Sequence, residues 1–164
     1  MKTILAAVDF SPVTSAVLAE AAALVEPPDG RVILLHVTEP TALIIDLAIA
    51  SMSVARVDEV RVTQARNLLA RLERELLEKG VPAEVRHATG MPVPEIIAAA
   101  AAVGADGIVV GSHGHSTIHD LFVGSTTAGV VKRARCPIVV VPSLTHRDGN
   151  DSKADTVSRL WCTV

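Results

Sequence analysis

The chain has 164 residues, a net charge of −3 and charged residues at only 20% of its positions. This length fits one domain, and the charge balance provides no electrostatic attraction to nucleic acid or to an anionic membrane surface. Aromatic residues make up 2% of the sequence and tyrosine is absent. A planar ligand therefore has to lie against aliphatic side chains, and the aromatic surfaces used for binding single-stranded nucleic acid are scarce.

Neither a secretion signal nor a membrane span is evident in the sequence. The apolar run at the N-terminus is short and ends at Asp9, unlike a signal peptide. The longest apolar stretch, Ile96 to Ala105, is about half of the ~20 residues that cross a bilayer. The sparse cysteines, Cys136 and Cys162, fit a reducing compartment. We therefore expect a cytoplasmic protein.

Short apolar segments rich in β-branched residues predict five strands. They are mostly continuous in their apolar character rather than alternating, which is typical of strands buried on both faces of a parallel sheet. The predicted strands are Ile4–Val8, Val32–Val37, Ala83–His87, Gly107–Val110 and Ile138–Val141.

Helical patterns separate these strands. Ser11 can cap the first helix and Pro12 suits its first turn, whereas Gly80 and Gly104 are predicted to end the second and third helices. Strict alternation of strands and helices predicts an α/β fold, a doubly wound five-stranded parallel sheet with helices on both faces. Its ligand site is expected at the carboxyl ends of the strands, where the strand order reverses. The predicted helices span residues 12–26, 54–79, 94–103 and 126–135.

Two stretches do not fit the alternation. Residues 38–53 are partly apolar, and either a helix start or a mobile flap is compatible with them. Residues 144–164 are polar and are expected to form a flexible C-terminal tail, although Trp161 is a candidate for docking onto the domain. The sequence thus predicts one domain over residues 1–143.

The segment from Gly111 to Thr127 has the most informative pattern. It begins where the fourth strand ends and finishes where the fourth helix begins, so both of its ends are expected at the ligand edge. Gly111 and Gly114 permit close approach of a ligand to the backbone. Gly124 and Ser125 open the last helix, where free N–H groups and the helix dipole attract an anion.

Hydroxyl groups add possible phosphate donors to this helix start, from Ser125, Thr126 and Thr127. The same residue types are also ordinary helix caps, and glycine is an ordinary turn residue. From the residues alone, phosphate binding and a purely structural role both remain open.

The spacing Gly-x2-Gly-x9-Gly-Ser, from Gly111 to Ser125, resembles the nucleotide-binding loop of the ATP-binding universal stress proteins. Three further segments are similar to strands of that family: Ile4–Asp9 followed by Ser11, Val32–Val37, and Cys136–Pro142. The resemblance covers residues 1–143 and implies the Rossmann-like fold of the adenine nucleotide alpha hydrolases.

The resemblance also implies a site, a cofactor and a partner. ATP is the expected cofactor, with Mg²⁺ on its phosphates, and a homodimer is expected to form through the last strand, Ile138–Val141. The family commonly has arginine after the second glycine of the loop, where this chain has His115; this difference would either weaken phosphate binding or make it depend on pH. The implied nucleotide-binding residues are Ala7, Asp9, Val37, Gly111, His113, Gly114, Gly124, Ser125 and Thr126.

Several enzyme classes lose support from the sequence. It contains no Gly-Lys-Ser/Thr phosphate loop, no Gly-x-Gly-x-x-Gly and no Gly-x-Ser-x-Gly. The three histidines of the loop, His113, His115 and His119, do not have a recognised zinc spacing, so we expect no metal site among protein side chains. We expect no catalytic residue, since Asp9 fits ligand contact or turn capping better than it fits a catalytic base.

Three functions are therefore compatible with the sequence. The first is an ATP-binding regulatory or stress-response module with at most slow hydrolysis. The second is a family member that binds no nucleotide and acts as a dimeric interaction module. The third is a slow ATPase or a related adenylate-handling enzyme.

Overall fold

A computed structural model of the chain describes most of the domain. For residues 51–55 and 161–162 it describes the backbone alone. No helix within the described residues is long and apolar enough to cross a membrane. The described ranges are 1–26, 28–41, 51–112, 123–142 and 161–162.

The five predicted strands are present and form a parallel sheet, as the sequence predicts. Their order is β3-β2-β1-β4-β5, so the order reverses between β1 and β4. A sixth strand, which the sequence did not indicate, pairs with β5 in the antiparallel direction at the edge of the sheet. The strands are β1 (Thr3–Ala7), β2 (Arg31–Thr38), β3 (Ala83–Thr89), β4 (Gly107–Gly111), β5 (Ile138–Val141) and β6 (Trp161–Cys162).

Helices cover both faces of the sheet, and each face has its own apolar core. Neighbouring residues of one strand point to opposite faces. Ile4 therefore belongs to the core beneath the first two helices, whereas Leu5 belongs to the core beneath the last two. Gly80 and Gly104 end the second and third helices in the left-handed conformation, as predicted. The helices are α1 (Thr14–Leu24), α2 (Ser51–Glu78), α3 (Pro92–Val103) and α4 (Ser125–Val131).

The predicted start of α1 is wrong by two residues. Val13 occupies the cap position with no side-chain cap, and the Ser11 hydroxyl is buried without a hydrogen-bond partner in the described part of the chain. The cause is a tight turn before the helix: the Ser11 N–H donates to Asp9 Oδ1 (3.0 Å), and the Thr14 N–H donates to the Ser11 carbonyl (3.0 Å). This turn uses the residues that would otherwise have begun the helix.

The fourth helix is shorter than predicted, since it ends at Val131 rather than at Arg135. The N–H groups of Arg133 and Ala134 both donate to the carbonyl of Val130, which closes the last turn tightly. The chain then turns toward β5, which begins at Ile138.

Most of the predicted tail and part of the 38–53 connection lie outside the described residues. Within the tail, Trp161 pairs with Val139 and Cys162 with Ile138. The edge of β5 that was expected to meet a second copy is therefore next to a strand of its own chain.

Candidate functional site

A cavity of about 300 Å³ lies at the carboxyl ends of β1, β2 and β4, where the strand order reverses. This is the position at which doubly wound sheets bind ligands. His113 and Gly114 lie outside the described residues. Contact of the site residues with a ligand remains a prediction, but the fold brings seven of the nine together around this cavity: Ala7, Asp9, Val37, Gly111, Gly124, Ser125 and Thr126.

The turn after β1 forms one wall of the cavity and contains Asp9. Phe10, the next residue, has φ +62°, a left-handed conformation that is rare for a bulky side chain. The Phe10 ring lies 4.3 Å from the ring of His36, measured between centroids. Asp9 thus lies in a turn with a strained backbone. The side chain of the next residue, Phe10, packs against His36 of β2.

The two ends of the connection between β4 and α4 meet at another part of the cavity wall. The Gly124 N–H donates to the Ser112 carbonyl (2.8 Å), and the Ser112 N–H donates to the Val141 carbonyl (2.7 Å). The loop that connects β4 to α4 therefore begins and ends at one point of the sheet edge. This closure brings Gly111 and the start of α4 into the same cavity.

Thr127 has a different role from the expected one. Its side chain is buried, with 3% of its surface exposed, and its hydroxyl donates to the Gly111 carbonyl (2.6 Å). That hydroxyl joins α4 to the end of β4 and is already engaged, so the expectation that it donates to a phosphate is wrong. Ser125 and Thr126, which are more exposed, are the hydroxyls of this helix start that can face a ligand.

The walls of the cavity are mainly aliphatic, with contributions from Val17, Ile96 and Val110. Two carboxylates, those of Asp9 and Glu39, also line it. Neither lysine nor arginine is among the described residues that line the cavity. Such walls suit an uncharged planar group, and an anion here would depend on backbone N–H groups, hydroxyls and a bound cation.

Sequence reasoning missed His36, which lines the cavity from the end of β2. Because the Val8 carbonyl can only accept, the 2.8 Å contact between them identifies His36 Nδ1–H as the donor. The one available signal was a polar residue inside an otherwise apolar strand.

A second histidine, His87, lies beside His36 on β3. Their ring centroids are 6.2 Å apart, and His87 Nε2 is hydrogen-bonded to Thr38 Oγ1 (2.8 Å). Burial lowers the pKa of His87, and the nearby His36 and Arg66 lower it further. The described residues contain no cluster of three or more His, Cys, Asp or Glu that could hold a metal ion.

Residues 1–142 match the model of the universal stress protein family. The chain belongs to that family. Universal stress protein MJ0577 of Methanocaldococcus jannaschii is 29% identical to it over 152 residues, covering 85% of this chain and 94% of the relative. The solved MJ0577 structure superposes with a TM-score of 0.77 at 27% identity, covering 88% of this chain and 98% of that one.

Two further universal stress proteins are similar to this one. YxiE of Bacillus subtilis is 29% identical over 142 residues, covering 84% of this chain and 96% of the relative. A family protein from Arabidopsis thaliana, solved with AMP bound, superposes with a TM-score of 0.60 at 22% identity, covering 87% of this chain and 92% of that one. The likeness to the Arabidopsis protein shows a shared fold.

Replacing the buried hydroxyl of Thr127 in this universal stress protein tests its link to β4. Thr127→Val keeps the side-chain shape but leaves the Gly111 carbonyl without its donor, so we expect the free energy of unfolding to fall by about 1 kcal/mol. Urea unfolding measures this, with Thr126→Val as the matched control. Equal losses in the two variants would contradict the role of this bond.

Acid should weaken the fold through His87. Since its folded-state pKa is lowered, the unfolded chain takes up the proton first as the pH falls below about 6.5. Stability is then lost until the pH passes the folded-state pKa. We expect the urea midpoint to drop less between pH 7.5 and pH 5.5 in His87→Gln than in the wild type; an equal drop would refute this assignment.

Proposed function

We propose that this chain is a cytoplasmic ATP-binding universal stress protein that acts as a dimeric, nucleotide-responsive regulatory module with at most slow ATP hydrolysis. One observation carries the proposal. The cavity at the point of strand reversal joins an aliphatic chamber to the hydroxyl-bearing start of α4, and the hydrogen bond between Gly124 and Ser112 closes the loop beside it.

The aliphatic part of the cavity suits adenine and ribose. Ala7 and Val37 offer small apolar surfaces at the ends of β1 and β2, and Asp9 offers a carboxylate that can accept from ribose hydroxyls. A volume of about 300 Å³ lies at the lower end of the range for small-molecule sites. The nucleoside therefore fills the chamber, and the phosphates extend toward α4.

The start of α4 provides donors for the phosphates. The first N–H groups of a helix have no acceptor within the helix, and Ser125 and Thr126 add hydroxyls beside them. Because the described lining has no lysine or arginine, a Mg²⁺ ion bound mainly by phosphate oxygens would supply the missing positive charge. The residues present thus fit a nucleotide bound together with its own cation.

Fast hydrolysis does not fit this set of residues. Phosphoryl transfer depends on positive groups placed where charge develops in the transition state, and the described lining offers none from side chains. A sensor that binds ATP and changes partner affinity is therefore favoured over a dedicated ATPase. The AMP-bound Arabidopsis protein shares the fold, whereas the preference for a triphosphate rests on the donors at the start of α4.

Calorimetric titration with Mg·ATP tests the proposed site. Gly124 lines the cavity and has φ −56° and ψ 153°, a backbone that any residue can adopt, so Gly124→Val adds bulk at the cavity wall without requiring a left-handed backbone. We expect the wild type to bind and Gly124→Val to lose at least tenfold in affinity, since the added side chain displaces the phosphates. AMP should bind more weakly than ATP.

This titration, together with a measurement of ATP turnover, separates the three functions. No binding of ATP by folded wild-type protein would contradict the proposal and favour the nucleotide-free interaction module. Asp9→Asn keeps the oxygen that accepts from the Ser11 N–H but removes the charge. Bound ATP that turns over in the wild type and not in this variant would favour the slow ATPase.

The proposed dimer pairs the β5 strands of two copies. In the single chain that edge is occupied by β6, which contributes two residues, whereas a second β5 would contribute four. The C-terminal strand and a second copy therefore compete for one edge. Dimer formation depends on the release of β6.

Preventing β6 from pairing should strengthen the dimer. Proline removes the backbone donor and cannot join the sheet in the same way, so we expect Trp161→Pro with Cys162→Pro to tighten dimer association about tenfold. Sedimentation over a concentration series measures this, with Cys162→Ser as the control that keeps the backbone donor. An unchanged dissociation constant would contradict the competition.

A further inference from the structure

The strained turn that contains Asp9 is contacted by a side chain of the neighbouring strand β2. Phe10 has φ +62°, a conformation that costs an L-residue roughly 1–2 kcal/mol. Strain of this kind persists only where surrounding contacts determine it, and it is common beside ligand sites. The contacts that hold this turn are therefore candidates for a functional role.

His36 touches both neighbours of Asp9. On one side, its Nδ1–H donates to the Val8 carbonyl (2.8 Å), while the Val8 N–H donates to the carbonyl of Leu35 on the same strand (2.9 Å). On the other side, its ring lies 4.3 Å from the Phe10 ring, with a tilt of 34° between the planes. The two contacts fix the backbone immediately before and after Asp9.

The carboxylate of Asp9 is hydrogen-bonded within the same turn, since its Oδ1 accepts from the Ser11 N–H at 3.0 Å. A change in the backbone at Phe10 would move Ser11 and release this bond. The Asp9 carboxylate is thus connected through its turn to a residue of β2 that lies 27 positions further along the chain.

We propose that His36 is a positioning residue for Asp9: by holding Val8 through a hydrogen bond and Phe10 through ring contact, it fixes the Asp9 carboxylate at the nucleotide cavity. The inference has a structural part, that His36 fixes the turn, and a binding part, that this fixing strengthens nucleotide binding. The binding part rests on the proposed function, whereas the structural part requires no ligand and can be tested separately.

The rate of amide hydrogen exchange at Ser11 in the ligand-free protein measures how firmly the turn is held, because that N–H donates a hydrogen bond to Asp9. His36→Ala removes both contacts. His36→Phe keeps a ring without the donor, and His36→Asn keeps a donor close to the Nδ1 position without the ring. We expect exchange of Ser11 to accelerate about tenfold in His36→Ala, and less in the other two, since each loses one contact.

His87→Asn is the matched control, since its ring lies beside His36 but its hydrogen bond goes to Thr38. It should leave Ser11 exchange unchanged. Core amides of β2, such as that of Leu34, are measured in the same samples. Equal acceleration of Ser11 and Leu34 in all three His36 variants would mean general destabilisation and would overturn the inference, as would unchanged exchange at Ser11.

A double-mutant cycle on the affinity for Mg·ATP tests the binding part of the inference. If His36 acts through Asp9, His36→Ala should weaken binding about tenfold in the wild type but have little effect in Asp9→Ala, which has no side-chain oxygen left to position, because the two changes act on one contact. Additive losses would overturn the positioning role. Failure of the wild type to bind ATP would refute the proposed function, and the exchange result for Ser11 would still decide whether His36 holds the turn.

Discussion

The reversal of strand order between β1 and β4 is the constraint on which the rest of the site depends. The chain leaves β1 toward α1 on one face of the sheet and leaves β4 toward α4 on the other. The carboxyl ends of these two adjacent strands therefore diverge, and a cavity opens between the connections that follow them. The position of the site therefore follows from the topology of the sheet, and the side chains then determine its chemistry.

The walls of this cavity are fixed by a few polar contacts at strand ends. On the α4 side, Thr127 is bonded to the Gly111 carbonyl, and Gly124 is bonded to Ser112. On the α1 side, His36 contacts the turn around Asp9. Each contact joins two different elements at the edge of the sheet, so the aliphatic chamber and the helix start keep one relative geometry, as a preorganised site requires.

The fold was largely predictable because β1, β2, β4 and β5 are mostly buried and read as apolar runs, whereas β3 is more exposed and has a weaker pattern. The segment from Gly111 to Thr127 likewise indicated that the end of β4 and the start of α4 lie at one edge of the sheet. The roles of Thr127 and His36 were not predictable, since both depend on contacts with distant strand ends that no local pattern encodes. The late start of α1 follows from the turn at Asp9, and β6 pairs two residues that carry no strand pattern of their own.

The central claim, that an adenine nucleotide occupies the cavity between the ends of β1 and β4, is tested most directly by mapping backbone amide shifts in the full chain during titration with Mg·ATP. The account predicts that the largest shifts cluster at Asp9, at Val37 and at the α4 start formed by Gly124, Ser125 and Thr126. Saturable shifts confined to another surface, or no shifts at all, would contradict it.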